Sequence, residues 1–300
     1  MIVCLRIALV LFLGFGFVHP LKSQPKTSYV DEIENWHRQR GVYLRSEEGW
    51  LNLAGLFWLR EGVNPFGSDS SNPIVFPKGS IAGRAGSFNR SGDTVRLIAE
   101  PDADIALGNL RIRDTVIFLG GQAVPPVLAH GTLRWTIIKR EDKIGVRLRD
   151  LNSALVHSFP GIDHFSIAEK WKVMAHWQPS PARYTLPLQN IIGQQVHESS
   201  PGRVTFTLGK KEFSLEALQE GQELFLIFSD ETNGVDTYPS GRYLYAPWPG
   251  KEGTTILDFN KAFNPPCAFT PYATCLLPPA QNHLALRIEA GEKVFHASTH

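Results

Sequence analysis

Two cysteines, Cys267 and Cys275, share one proline-braced run at residues 258–279, DFNKAFNPPCAFTPYATCLLPP, and they are the first residues in the chain that could do chemistry. If they pair, closing so short a loop contributes about 2.5 kcal/mol in the chain-entropy account. If they do not, Cys267, held just after Pro265 and Pro266, is the better candidate for a reactive thiol. Pairing or plain burial is the commoner fate of such cysteines, and no histidine stands nearby in sequence to activate either sulfur. Asp258, Asn260, Asn264, Thr270, Tyr272 and Thr274 intersperse the run with polar groups. Prolines fix φ and push their predecessors toward extended backbone, so the run reads as a stiff, ordered strap and neither a helix nor a central strand.

A second constellation is Asp230-Glu231-Thr232 followed by Asp236, Tyr238, Arg242, Tyr243 and Tyr245. In TYPSGRYLY a Ser240-Gly241 turn precedes a strand on which Arg242 and Leu244 face one way and Tyr243 and Tyr245 the other. An arginine there can grip a carboxylate or phosphate through two parallel hydrogen bonds. It can equally pair with Asp258 or Asp236 and hold strands together, the commoner role for buried arginine–carboxylate pairs. His157, Asp163, His164, His176 and His197 are scattered and give no metal-ligand spacing, so no metal site is assigned. Trp36, Trp50, Phe57 and Trp58 could form a ligand platform, although aromatics at strand spacing more often fill a core. No Gly-x-Ser-x-Gly, His-Glu-x-x-His, Cys-x-x-Cys, Walker loop or Gly-x-Gly-x-x-Gly occurs. Any cofactor is therefore unknown from sequence.

The elements that must position these residues follow from period and punctuation. The 300-residue chain is 43% hydrophobic and 11% aromatic, enough to bury a substantial core. Its 30 basic and 29 acidic residues leave a net charge of +1 with no basic run, which argues against nucleic acid and membrane surfaces as partners. An apolar stretch at residues 7–18 after Arg6 fits a secretory signal cut near Ser23, giving residues 1–23 as a signal peptide and a mature protein in the periplasm or outside the cell. Cys4 precedes the apolar stretch and so is no lipoprotein cysteine.

Within an N-terminal helical segment at residues 24–49, residues 27–48 read as a helix capped by Ser28 with Asp31, with a break plausible at Gly41 and a stop at Gly49. A period of two then sets in at residues 50–60, followed by a turn at residues 62–65. Further strands are expected at 74–76, 85–88, 94–99, 110–112 and 116–119, with a hairpin formed by 132–139 and 144–148. Residues 50–150 thus read as a β-sandwich. After a loop-rich connection, residues 151–300 read as a second antiparallel β domain with strands near 172–177, 183–187, 194–198, 203–208, 212–215, 224–229, 243–246, 255–259 and 284–288.

The run NPPCAFTPYATC resembles the hallmark of a prokaryotic family known as domain of unknown function 1684. The likeness extends through WHRQRGVYLRSEEGWLNLAGLFWLREGVNPFGSD, GVRLRD, GIDHF, TYPSGRYLY and NHLALRIEAGEK. This resemblance implies no particular activity. Residues 58–150, through FGSDSSNPIVFP, also resemble a forkhead-associated sandwich. Gly67 is followed by Ser68 where that family's phosphothreonine readers have Gly-Arg, and no Ser-x-x-His follows, so the likeness implies fold and not phosphopeptide binding.

The expectation is a mainly β exported protein: an N-terminal helix plus a forkhead-associated-like β-sandwich, then a second antiparallel β unit closed by the strap. Its function reads best as a module binding a small molecule or peptide in a pocket under residues 258–279, with Arg242, Tyr243, Asp258, Asn260, Asn264, Cys267 and Tyr272 as contacts. Two other readings stay open. One is a hydrolase-like enzyme using Cys267 or Asp258 on a group held by Arg242; the other is a structural envelope protein.

Overall fold

A computed structural model describes residues 28–121 and 124–296. The signal-peptide reading of residues 1–23 lies outside them. The fold is mainly β, with antiparallel sheets and an N-terminal helix.

That helix, α1 (Tyr29–Arg45), opens with a full capping box in which the Ser28 hydroxyl accepts from Asp31 N and Asp31 accepts from Ser28 N. It runs unbroken through Gly41, since Gly41 is followed by helix-compatible residues and its carbonyl is met by Arg45 Nη1 at 3.2 Å. The chain turns sharply after it. At Gly49 a side chain is excluded, because a Cβ there would lie 2.2 Å from Leu44 O.

Two sheets then face one core. One runs, in spatial order, β1 (Leu53–Trp58), β11 (Lys143–Asp150), β10 (Leu133–Arg140), β9 (Leu128–His130), β6 (Ala106–Leu107) and β7 (Leu110–Arg111). The other runs β3 (Ile74–Val75), β2 (Gly62–Gly67), β4 (Gly86–Ser91), β5 (Thr94–Ala99) and β8 (Asp114–Phe118). Alternating inward residues fill the space between them, with Phe66 stacked on Phe88 at 4.3 Å and Phe76 edge-on to Trp135 at 5.5 Å. The expected turn at residues 62–65 is instead the strand β2. Its Asn64 side chain donates to Arg60 O, Gly62 O and Phe88 O, supplying bonds that hold the bend open into a ladder. Pro65 is tolerated because β3 pairs only with Phe66 and Gly67.

After the short helix α2 (Ala154–Ser158), the second half builds a curled sheet. Its order is β18 (Arg242–Pro247), β17 (Glu223–Asp230), β16 (Lys211–Glu220), β15 (Gly202–Leu208), β12 (Lys172–Pro179) and β19 (Thr254–Asp258). The hairpin β13 (Thr185–Gln189) and β14 (Gln195–Ser199) stands apart from it. The two edge strands approach one another, and Thr255 Oγ1 donates to Pro247 O at 2.6 Å. One face of β17 and β18 points Leu224, Leu226, Phe228, Leu244 and Ala246 into a core around Phe206 and Phe259. The other face points Phe225, Ile227, Tyr243 and Tyr245 at the strap, the hairpin and Trp36 of α1. The expected final strand is cut to β20 (His283–Leu284), which runs parallel to β17. Beyond it the carbonyls of Ile288 and Ala290 accept from the Arg242 guanidinium and not from a neighbouring strand.

The halves meet along a seam in which Leu44, Leu51, Phe159 and Phe269 pack with Trp50 and Phe295, and Arg140 of β10 donates to Thr274 of the strap at 3.1 Å. Because Phe206 is fully enclosed between the ring neighbours Phe213 and Phe259, Phe206→Ala is expected to lower stability by about 3–5 kcal/mol, read as a shift in the urea midpoint at unchanged slope.

Candidate functional site

Helical spacing puts Trp36, Arg40 and Tyr43 on one side of α1, facing the outward tyrosines of β18. With Gln39, Trp50, Glu220, Phe225, Tyr243, Tyr245, Phe263 and Pro266 they enclose a cleft of about 470 Å³. Its floor is a packed aromatic set: Phe225 and Tyr245 stack at 5.0 Å, Tyr245 and Phe263 at 5.6 Å, and Tyr243 meets Phe225 edge-on at 4.9 Å. The hydroxyls are fixed. Tyr243 donates to Leu276 O at 2.9 Å and Tyr245 to Glu220 Oε2 at 2.7 Å. Burial raises both phenols, and for Tyr245 the Glu220 carboxylate adds to the effect, so both stay neutral at ordinary pH.

The one cation in the lining is Arg40. Its Nε donates to Glu292 Oε1 at 3.2 Å, its Nη2 to Asn264 O at 3.0 Å, and its guanidinium lies 4.5 Å from the Phe263 ring centre. Nη1 makes no hydrogen bond to the described residues. Glu292 is buried and its other oxygen accepts from Asn264 N at 2.7 Å; burial pushes its carboxyl up, opposed mainly by Arg40.

Of the residues assigned from sequence as ligand contacts under the strap, Tyr243 alone lines this cleft. Arg242 points the opposite way, as the strand alternation requires. It is fully buried, with Nη2 2.6 Å from Asp230 Oδ2 and further bonds to Ala290 O and Ile288 O, so its partner is Asp230 and neither Asp258 nor Asp236. Asp258 and Asn260 form a latch: Asp258 Oδ1 accepts from Tyr29 Oη at 2.9 Å, and Asn260 bonds both the N–H and the carbonyl of Ala168. Asn264 donates to Lys293 O at 2.7 Å. Cys267 and Cys275 form a disulfide with Cα atoms 6.2 Å apart, so Cys267 presents no thiolate. Tyr272 is half-buried in the loop that the disulfide closes, its N–H donating to Thr270 Oγ1 at 3.2 Å. These side chains brace the strap, and the surface it shapes is apolar.

Reading the strap for polar contacts missed Arg40, Tyr43, Phe225 and Phe263, and named Tyr245 only as sharing the strand face of Tyr243. The available signal was the Trp36, Arg40, Tyr43 spacing along the helix. Trp36 and Trp50 of the suggested platform do line the cleft, whereas Phe57 packs into the sandwich core and Trp58 lies beside Lys143. On the far side of α1, His37 stacks flat on His164 at 4.3 Å in a second cleft of about 530 Å³ that Arg40 and Glu292 also line. Among the described residues no group of histidines, cysteines and carboxylates could hold a metal ion.

Residues 157–293 match the family model described as "Protein of unknown function (DUF1684)". This half of the chain belongs to the DUF1684 family. No curated protein matches the chain. Among solved structures, it is similar to an uncharacterized protein of Haloarcula marismortui determined by solution NMR, at 26% identity, covering 46% of this chain and 78% of that one with a TM-score of 0.39. A second, the DNA polymerase III beta subunit of Thermotoga maritima, shares 10% identity over 75% of this chain and 63% of that one with a TM-score of 0.11. The DUF1684 region supplies Glu220, Phe225, Tyr243, Tyr245, Phe263 and Pro266, while α1 and Trp50 come from outside it. The cleft therefore lies where that region meets the chain preceding it.

Removing the Arg242 side chain strands the buried Asp230 carboxylate and frees the carbonyls at residues 288 and 290. Arg242→Met should cost about 3–5 kcal/mol in chemical denaturation and open the C-terminal segment to limited proteolysis. Burial, and secondarily His164, holds His37 down at about 4 against its usual 6.5. The unfolded chain therefore binds the extra proton first, so this stability is full above about pH 6.5 and is lost as pH falls toward 4; about 2 kcal/mol should disappear across that window, and His37→Gln should flatten the slope in urea titrations.

Proposed function

We propose that this chain is an exported binding module that takes a small molecule or peptide side chain with a flat, apolar body in the cleft between α1, β17, β18 and the start of the strap. The observation that carries it is the convergence of Trp36, Tyr43, Trp50, Phe225, Tyr243, Tyr245 and Phe263 on one concave surface. Aromatic faces grip rings and the C–H faces of sugars, and Arg40 Nη1 offers one charged donor at the edge. Preorganisation supports the same reading: the tyrosine hydroxyls are already bonded and the strap is braced by its disulfide, so little ordering is needed on binding. Export is supported by the apolar stretch at residues 7–18 and by the disulfide, a bond that persists outside the reducing cytoplasm.

Ligand-observed NMR with a library of small aromatic and carbohydrate fragments tests the proposal. Ring-bearing fragments should dominate the hits and quench tryptophan fluorescence. Tyr43→Ala, at an exposed position that leaves the core intact, should weaken them about 3- to 10-fold. Hits that bind Tyr43→Ala and Trp36→Ala as tightly as the parent protein would place the ligand elsewhere and end this reading.

A further inference from the structure

The outward face of the sandwich sheet holds a second feature, independent of the aromatic cleft except that both touch Trp50. The β10–β11 register pairs Arg134 with Arg149, Thr136 with Arg147 and Arg140 with Lys143, so all these side chains share one face. Among the described residues none of these five cations has a carboxylate within ion-pair distance.

Two of the row are anchored by neutral groups. Arg149 donates to Gly49 O and, at 2.6 Å, to Asn52 Oδ1, with its guanidinium 5.6 Å from the Trp50 ring centre. Arg140 donates to Lys139 O and to Thr274 Oγ1 of the strap. Arg147 lies between them in register and makes no hydrogen bond to the described residues; its Nε is shut off from solvent without a partner. Burial, with Arg140 and Arg149 alongside, pushes its guanidinium down to about 10, the mark of a charge held where the protein offers it no counter-charge.

A guanidinium whose Nε is shut off from solvent without an acceptor is costly, and a bound ion is one way native proteins satisfy such a group. We infer that Arg140, Arg147 and Arg149 form a binding site for a small oxyanion carrying two or more negative charges, a phosphate group or a polycarboxylate. Arg147 supplies its two unbonded Nη groups, and Arg140 and Arg149, each anchored through bonds to neutral acceptors, add flanking charge.

Thermal denaturation of the full chain in sodium phosphate, sodium sulfate and sodium citrate, each matched in ionic strength with sodium chloride, tests this. At saturating anion the midpoint should rise by about 5 °C beyond the chloride control. Phosphate and sulfate acting together mark a tetrahedral dianion; citrate acting alone marks a polycarboxylate. Arg147→Gln and Arg147→Met should each weaken the anion at least 10-fold, whereas the exposed Lys251→Gln should leave it unchanged. Without anion, Arg147→Met should melt no lower than the parent, because it removes an uncompensated charge. Absence of any anion-specific shift in the parent protein overturns the site. So does an Arg147→Met variant that keeps the shift and melts lower on its own, since that marks Arg147 as a packing residue.

Discussion

The structure depends on a carboxylate that has nowhere to shed its charge. Glu292 is 1% exposed, and a buried anion is tolerable only when donors meet it. One donor comes from Arg40 in the helix and the other from the backbone of Asn264 at the head of the strap. Three segments far apart in sequence are thereby drawn to one point, and the placement of Arg40 follows. Its guanidinium is pinned over Phe263 and becomes the wall between two clefts, so the aromatic surface owes its shape to a charge that never reaches it.

Around that point the second half uses β17 and β18 twice. Strand alternation sends Arg242 and Leu244 into the inner core, where the guanidinium holds the returning carbonyls of Ile288 and Ala290, and sends Tyr243 and Tyr245 outward. The inner face anchors the end of the chain; the outer face presents it with rings. Asp258 and Asn260 do similar service for the start of α1 through Tyr29. Polar residues that look like ligand contacts in sequence are spent on fixing backbone, and the groups left facing the cleft are mostly aromatic.

Local signals carried most of the architecture. The capping box at Ser28, the period of two through Leu53 and Phe57, the hairpin read at 132–139 and 144–148 and the proline-braced strap each leave a mark within a few residues, because each arises from contacts within a few residues. What sequence concealed was long-range. Asn64 turned an expected turn into a strand by bonding to Phe88 O, and Arg242 removed an expected strand by taking its carbonyls. The cleft was hidden for the same reason: Trp36, Tyr43, Phe225, Tyr245 and Phe263 come from three regions, and as isolated aromatics each reads as core. The outward phase of Tyr243 and Tyr245 was visible, since that follows from strand alternation, as were Trp36 and Trp50 as ring-bearing residues, but not their convergence.

The tie between Arg40 and Glu292 spans 252 positions. Loop closure of that length is slow to complete, and contacts of such high order form late. A chain emerging from synthesis can bury Phe66 against Phe88 and finish the sandwich well before Glu292 exists, yet α1 has no counter-charge for Arg40 until residue 292 is made. Completion of the aromatic cleft is thus a late step: until Glu292 is in place the sandwich core can stand formed while α1 lacks the contact that fixes Arg40 over Phe263.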